Sequence, residues 1–187
     1  SSSHTPPTGA AASPGRARRA AMVKCSLVAK ADDLATEKVR VAAAAVGVEL
    51  AVQRPGAGGG AVPELHLGGR VVRYTNAILR CLGRIFEDGD MYGSSFIQTN
   101  QVDAWLDWAE AELGSAEAPN AAEAVEKLEK HLEAKTYLVG QRMTLADIAV
   151  SCSLNRLRKA GALQAVPRAT QRWLGTCLAH DAFKAVG

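Results

Sequence analysis

Residues 137–150 contain the feature that most constrains how this chain folds, a strongly marked helix start. Thr144 and Asp147 form a Ser/Thr-x-x-acid box, in which each side chain can bond the backbone N–H of the other residue. Met143 and Ile148 are placed as a hydrophobic staple, which fixes the angle between the incoming chain and the helix. Because the following residues are largely apolar, we expect this helix to be the buried centre of an all-helical region.

The composition predicts a globular chain with one or two small domains. Its 187 residues are 48% hydrophobic and 22% charged, and no apolar run approaches the roughly 20 residues that cross a bilayer. The net charge of +3 comes from the first 22 residues, which contain no acid and three bases, Arg16, Arg18 and Arg19. The rest of the chain is electrically balanced, so we expect neither a broad nucleic-acid-binding surface nor a membrane partner.

Two stretches have little to bury and are predicted to be flexible. Residues 1–22 consist mainly of Ser, Pro, Gly, Ala and Arg, which indicates a disordered tail. We interpret this tail as a native linker or a non-native extension, in preference to an Arg-rich transit peptide. The glycine-rich run 56–61 lacks the Lys-Ser/Thr pair of a phosphate-binding loop and is predicted to be a linker.

Cysteines and histidines are too dispersed to form a metal site or a nucleophilic triad. The cysteines lie in apolar stretches without a CxxC motif, at Cys25, Cys81, Cys152 and Cys177. They are predicted to be buried free thiols, which favours a reducing compartment over disulfides. The histidines after the tail are far apart in sequence, at His66, His131 and His180.

The first half of the chain has a β-α-β-β-β-α order, which indicates a small mixed sheet with helices packed against it. Asp32 and Asp33 can cap the first helix, and Gly47 can end it. A Gly-Gly pair provides a hairpin turn between the last two strands. The predicted strands are 24–29, 48–53, 62–67 and 70–73; the predicted helices run to residue 46 and over 76–86, the second capped by Thr75.

The second half reads as a set of helices. A cap at Thr99 precedes an inward apolar stripe formed by Val102, Leu106, Ala109 and Leu113. Further helices are predicted to begin at Asn120, Thr144 and Pro167. Trp105 and Trp108 flank the stripe and are predicted to be core or half-buried, whereas His131 is predicted to lie at the surface of a charged helix.

Several segments together resemble the glutathione-transferase-like (GST-like) superfamily. Residues 137–150 resemble its "Leu-x-Gly…(Ser/Thr)-(Leu/Ile)-Ala-Asp" signature, residues 62–65 its "Val-Pro-x-Leu", and residues 74–78 its "Glu-Ser-x-Ala-Ile". The resemblance implies an α+β two-part GST-like fold, with a reduced thioredoxin-like subdomain at 23–86, a linker at 87–98 and an all-α subdomain at 99–187. It also implies a cis peptide bond before Pro63.

The sequence departs from this superfamily at three places that bear on glutathione chemistry. The second strand lies so close to Val62 in sequence that the helix normally between them is absent or reduced to a turn. Tyr74 stands where the superfamily has the carboxylate that receives the glutathione amine, and residues 29–34 contain no hydroxyl or thiol to activate a thiolate. Pro63 and Thr75 are therefore interpreted as a vestigial site without a catalytic residue, cofactor or metal, although Thr75 could still bind a carboxylate at a helix N-terminus.

The short linker resembles that of GST-like domains attached to aminoacyl-tRNA synthetases. Several segments resemble the N-terminal domain of cytosolic glutamyl-tRNA synthetases, at 76–84, 91–94, 101–108, 135–140, 172–175 and 182–187. The resemblance implies a non-catalytic, cytoplasmic docking module that binds other GST-like domains in a multi-synthetase complex, or a second copy of itself. Aminoacylation would reside elsewhere, because no HIGH-type motif is present. The elongation factor 1 gamma subunit, which keeps a longer linker, is the alternative, followed by a glutathione S-transferase enzyme.

The usual dimer face of the superfamily implies a set of interface residues. Three bases share one side of the helix after the hairpin, and three acids share one side of the next long helix: Arg73, Arg80, Arg84, Asp103, Asp107 and Glu110. Such charges can pair across a two-fold axis, but intramolecular pairing or solvated side chains fit equally well. Acid–base or metal chemistry by the three acids is disfavoured on a helix without histidine. A second surface used in the superfamily would involve Arg156, Arg158 and Arg172.

Overall fold

The computed structural model of the protein describes residues 25–56, 62–85, 90–115, 120–163 and 165–187. The predicted tail, residues 1–22, and most of the predicted glycine linker, residues 57–61, lie outside these ranges, as does Lys24, the first residue of the predicted strand 24–29. All four cysteines are free thiols, as predicted; three are buried and Cys81 is half-buried. None of the helices in the described ranges has both the length and the hydropathy that a bilayer crossing requires.

A four-stranded mixed sheet forms in the first half of the chain. Its strands are β1 (Cys25–Val28), β2 (Leu50–Gln53), β3 (Glu64–Leu67) and β4 (Arg70–Arg73), in the order β2-β1-β3-β4. β1 is parallel to β2 and antiparallel to β3, and β3 is antiparallel to β4. Gly68 and Gly69 adopt φ values of 55° and 79°, which makes the tight hairpin turn that the sequence predicts.

Two helices pack with this sheet, α1 (Leu34–Ala45) and α2 (Thr75–Ile85). Leu27 and Leu65 from the two central strands and Val39 and Ile78 from the helices are fully buried in the core. α1 ends where the sequence predicts, because Gly47 adopts a φ of 74° that favours glycine.

Five helices form the second half: α3 (Phe96–Leu113), α4 (Ala121–Leu132), α5 (Leu145–Lys159), α6 (Arg168–Leu178) and α7 (Asp181–Lys184). α5 is the buried centre that the capping box predicts, since twelve of its fifteen residues are buried. It packs against α3, α1 and α6. The predicted inward stripe of α3 is confirmed, with Val102, Leu106, Ala109 and Leu113 all buried.

The predicted cis peptide bond before Pro63 is wrong, because the described residues contain no cis peptide bond. The trans isomer is the lower-energy form of an X–Pro bond. In this chain the Pro63 carbonyl accepts a 3.3 Å hydrogen bond from the backbone N–H of Tyr74. This bond joins the start of β3 to the start of α2.

Two predicted helix caps are also wrong. α2 begins at Thr75 itself, and the preceding carbonyl, that of Tyr74, accepts the first helical hydrogen bond from Ile78. α3 begins before Thr99, because the Ser95 hydroxyl accepts from the backbone N–H of Gln98 at 3.2 Å. The Thr99 hydroxyl instead donates to the carbonyl of Tyr92. The earlier start adds a first turn to α3 within the predicted linker.

The aromatic side chains of α3 extend the core toward α4. Trp105 and Trp108 are half-buried, as predicted, and their ring centroids lie 5.0 Å apart. The surface prediction for His131 is wrong, because its ring packs edge-on against Trp105 with centroids 4.9 Å apart. The His131 Nε2 atom also lies 2.9 Å from the Leu138 carbonyl oxygen.

Candidate functional site

The predicted vestigial site forms a cleft between the two halves of the chain. The connection after β1, the start of β3 and the start of α2 meet there with the end of α3. The structure places both Pro63 and Thr75 in this cleft, whose volume is 320 Å³. Its other charged and polar lining residues are Asp33, Lys38, Tyr74, Asn76 and Glu110.

The residue just before α2 is Tyr74, where the glutathione-transferase-like pattern has a carboxylate. This side chain is 65% exposed, and its backbone adopts a φ of 70°, a left-handed conformation that bulky residues rarely occupy. Two residues later, the Nδ2 atom of Asn76 is used outside the cleft, because it donates to the Leu106 carbonyl and to Asp107 Oδ1, both at 3.2 Å. This end of the cleft therefore presents a phenol in place of a carboxylate.

The connection between β1 and α1 offers no hydroxyl or thiol to the cleft, as its sequence at 29–34 requires. The nearest hydroxyl in the following helix is that of Thr36, which is fully buried and donates to the Lys30 carbonyl at 2.7 Å. This bond closes the connection onto the first turn of α1. The Thr36 hydroxyl is therefore already used within the fold.

Lys38 is the residue of this cleft that the sequence interpretation missed. Only 2% of its side chain is exposed, and its Nζ atom lies 3.7 Å from Glu110 Oε2. Burial lowers the pKa of Lys38, while the negative charge of Glu110 acts in the opposite direction. The available signal was its position in α1, since the residues three and four places later, Val41 and Ala42, are apolar.

The six predicted interface residues have partners within the chain. Arg80 Nε lies 2.6 Å from Asp103 Oδ1, and Arg80 Nη2 lies 3.0 Å from Asp107 Oδ1. The predicted place of Arg73 on the helix with Arg80 and Arg84 is wrong, because Arg73 is the last residue of β4. Its Nε atom lies 2.8 Å from Glu64 Oε1, and this hydrogen bond lowers the pKa of that carboxyl. The remaining two, Arg84 and Glu110, contact the Tyr92 ring and Lys38 respectively. Each of these charges therefore has a contact within the chain, and pairing across a dimer interface stays a prediction.

α2 and α3 run in opposite directions, and apolar side chains are exposed at one end of the pair. The contacts of Asn76 with Asp107 and of Arg80 with Asp103 set this direction. The C-terminal end of α2 and the first turn of α3 therefore lie at the same end. Ile85, Phe96 and Ile97 are 39%, 81% and 70% exposed there. We call the surface formed by these three residues with Arg80 and Arg84 the α2/α3 face.

The residues of the predicted second surface bind different parts of the chain. Arg156 donates to the Asp32 carbonyl in the connection after β1, at 2.9 Å. Arg158 donates to Asn155 Oδ1 at 3.2 Å. Arg172 donates to the Leu132 and Lys135 carbonyls at the end of α4. The observed role of Arg172 is to satisfy carbonyls that a helix C-terminus leaves free.

The capping box predicted from the sequence is present at the start of α5. Asp147 Oδ2 accepts from the backbone N–H of Thr144 at 2.9 Å and from its hydroxyl at 3.0 Å. Asp147 Oδ1 accepts from the Leu138 N–H and from the indole N–H of Trp173, both at 2.9 Å. Thr144 and Asp147 thus have the structural role that the sequence predicts, and the carboxylate also binds α6.

Comparison with known proteins decides the fold family. Residues 99–181 match the family model for the glutathione S-transferase C-terminal domain. Poplar glutathione transferase F1 superposes with a TM-score of 0.77 at 15% sequence identity, over 87% of this chain and 96% of that structure. The chain has a GST-like fold.

Two kinds of curated relatives resemble this GST-like chain in sequence. The bifunctional glutamate/proline–tRNA ligase of Mus musculus is 33% identical over 119 residues, which cover 60% of this chain and 8% of the ligase. Elongation factor 1-gamma of Trypanosoma cruzi is 37% identical over 113 residues, which cover 51% of this chain and 28% of the factor. The GST-like chain thus spans less than a third of the length of either relative.

Proposed function

We propose that this chain is a non-catalytic docking module of a glutamyl-tRNA synthetase. It binds other GST-like domains in a cytoplasmic multi-synthetase complex. The observation that carries the proposal is the chemistry of the cleft between the two halves. A glutathione transferase needs a hydroxyl or thiol just after its first strand to stabilise the glutathione thiolate, and residues 29–34, which follow β1, supply none. A GST-like fold without this group is better suited to binding than to conjugation.

The α2/α3 face is the docking surface that we propose. Phe96 and Ile97 are its most exposed apolar side chains, and aromatic and aliphatic side chains commonly anchor protein interfaces. Arg80 and Arg84 lie on the same helix pair, and in this proposal they form the polar rim of the surface. In this proposal the apolar end supplies affinity and the rim fixes orientation.

The internal ion pairs determine which variants can test this surface. Reversing the charge of Arg80 would place a negative side chain beside Asp103 and Asp107. The repulsion would destabilise the fold as well as any interface. Phe96→Ser combined with Ile97→Ser removes exposed apolar area without disturbing a buried contact. Val71→Ser is the matched control, because Val71 is an exposed apolar residue on β4.

The test is affinity purification of the tagged chain from a native extract, with mass spectrometry of the bound proteins. We expect aminoacyl-tRNA synthetases or scaffold proteins with GST-like domains to bind. The double serine variant should lose them, and Val71→Ser should retain them. Glutathione-dependent conjugation of a chlorodinitrobenzene electrophile by the purified chain would overturn the non-catalytic assignment.

The gamma subunit of elongation factor 1 is the second candidate, because the sequence similarity to that protein is of comparable strength. The short connection between β2 and β3 favours the synthetase type, since the elongation factor resemblance implies a longer linker. The same purification separates the two candidates. Elongation factor subunits in place of synthetases among the bound proteins would establish the second.

A further inference from the structure

Lys38 occupies an unusual position for a lysine. Its side chain is among the largest fully buried ones in the described residues, although lysine is almost never fully buried without a close partner. It also lines the 320 Å³ cleft, together with its partner Glu110, whose side chain is 59% exposed. A buried titratable group in a cleft with a specific charge partner is a candidate functional group on physical grounds.

The ion pair of Lys38 is long. Its Nζ atom lies 3.7 Å from Glu110 Oε2, beyond ordinary hydrogen-bond distance, and the Glu110 side chain is 59% exposed to water. The other titratable groups that act on Lys38 are Asp33, just before α1, and Cys152 on α5. Because burial outweighs the negative charges of Glu110 and Asp33, the amine loses its proton more readily than a lysine in water. Burial keeps the Cys152 thiol protonated, so this residue adds no negative charge beside Lys38.

We propose that Lys38 is an amine nucleophile, and that its cleft is a covalent binding site for small, uncharged aldehydes. Amines that burial keeps partly neutral are the lysines that form imines in proteins. The volume of the cleft equals that of about ten water molecules, which limits the ligand to a small molecule. Asp33 and Glu110 also line the cleft and disfavour an anionic ligand such as an oxo acid.

The reaction needs no oxidant or reductant. The neutral Nζ atom forms a bond to the carbonyl carbon as the C–O double bond becomes single, and one proton passes through water from the nitrogen to the oxygen, which gives a neutral carbinolamine. The hydroxyl then takes one proton from water and leaves as water, and the nitrogen returns its one remaining proton to water, which yields the imine. One aldehyde and one amine thus give one imine and one water, and hydrolysis reverses the reaction.

The experiment is competitive reductive alkylation of the intact chain. Propionaldehyde with sodium cyanoborohydride converts each imine into a stable secondary amine, and peptide mass spectrometry gives the extent of modification at every lysine. Lys127, whose side chain is 51% exposed, is the internal standard. We expect Lys38 to react about threefold faster than Lys127 at pH ~7, and to lose this advantage as the pH rises through the ordinary lysine pKa of about 10.4.

Two variants show whether the reactivity belongs to the cleft. Ala35→Leu fills the cleft beside Lys38 and should slow the modification of Lys38 but not that of Lys127. Glu110→Gln removes a charge that holds the Lys38 proton, so the pH profile of Lys38 should move to lower pH. Slower modification of Lys38 than of Lys127 at every pH in the wild-type chain would overturn the proposal, with no variant needed.

Discussion

The indole N–H of Trp173 donates a 2.9 Å hydrogen bond to the buried carboxylate of Asp147, 26 residues earlier in the chain. Asp147 belongs to the first turn of α5 and Trp173 to the middle of α6. The capping box that starts the central helix therefore also fixes the position of the last long helix. Both residues are fully buried, so the bond forms without competition from water.

Removing this donor should destabilise the chain. Trp173→Phe leaves Asp147 with one hydrogen bond fewer and creates a small cavity, at a cost of about 2–4 kcal/mol. Urea denaturation followed by circular dichroism measures the change in the free energy of unfolding. Trp108→Phe is the control, because Trp108 is half-buried. This substitution should lower the free energy of unfolding by less than Trp173→Phe does. Equal costs for the two variants would show that the bond to Asp147 adds nothing.

Glu129 should make stability depend on pH. Its carboxylate accepts from the backbone N–H groups of Ala169 and Thr170, at 2.9 and 2.8 Å, at the start of α6. The bond from Ala169 is the largest contribution to lowering the pKa of Glu129. A carboxyl whose pKa is lower in the folded state stabilises that state above its unfolded pKa. This stabilisation is lost as the pH falls through the folded value.

Glu129→Gln should therefore lower the melting temperature at neutral pH and have a smaller effect below pH ~4. Thermal denaturation at a series of pH values gives the comparison. Glu123→Gln is the matched control, because Glu123 lies on the same helix and pairs with the exposed Lys127. A pH-independent difference between wild type and Glu129→Gln would rule out the carboxylate charge as its cause.

Arg80 and Asp103 should be energetically coupled within the monomer. Both side chains are about two-thirds buried, and their Nε–Oδ1 distance is 2.6 Å. A double-mutant cycle with Arg80→Met and Asp103→Asn should give a coupling energy of about 1 kcal/mol. The cycle is measured by urea denaturation at low and high salt. Additive effects of the two substitutions would contradict the intramolecular pairing.

Thiol reactivity should follow burial. Burial raises the pKa of Cys152 and Cys177, so both thiols should remain protonated and unreactive in the folded chain. Cys81 is half-buried, and burial raises its pKa as well, but a reagent can reach it. We expect Ellman's reagent to modify Cys81 first and the other thiols only after unfolding. Rapid reaction at Cys152 under native conditions would be inconsistent with the packing of α5.

Features that depend on neighbouring residues were predictable from the sequence. The capping box at Thr144 and Asp147, the glycine hairpin turn and the apolar stripe of α3 all form from side chains close together in the chain. The start of α3 was missed because two potential caps, Ser95 and Thr99, lie one turn apart. Only the structure shows that the Thr99 hydroxyl is used by the Tyr92 carbonyl.

Features that depend on tertiary contacts were not predictable in this way. Glu129 looks like a solvated acid on a charged helix, but its partners at the start of α6 lie 40 residues later. Lys38 likewise looks like a surface lysine until α3 brings Glu110 to it. The sequence analysis left the partners of Arg80 open, and its contacts with Asp103 and Asp107, more than 20 residues later, become visible only in the fold.

The order of the sheet makes β2 an outer strand with β1 as its one partner among the described strands. Three of its four residues are exposed, including Val52. An open strand can template the addition of a foreign strand, which leads to aggregation. The brevity of β2 and the Arg54-Pro55 pair directly after it restrict such growth to a few backbone bonds. Lengthening this strand by replacing Pro55 would be expected to reduce the solubility of the chain.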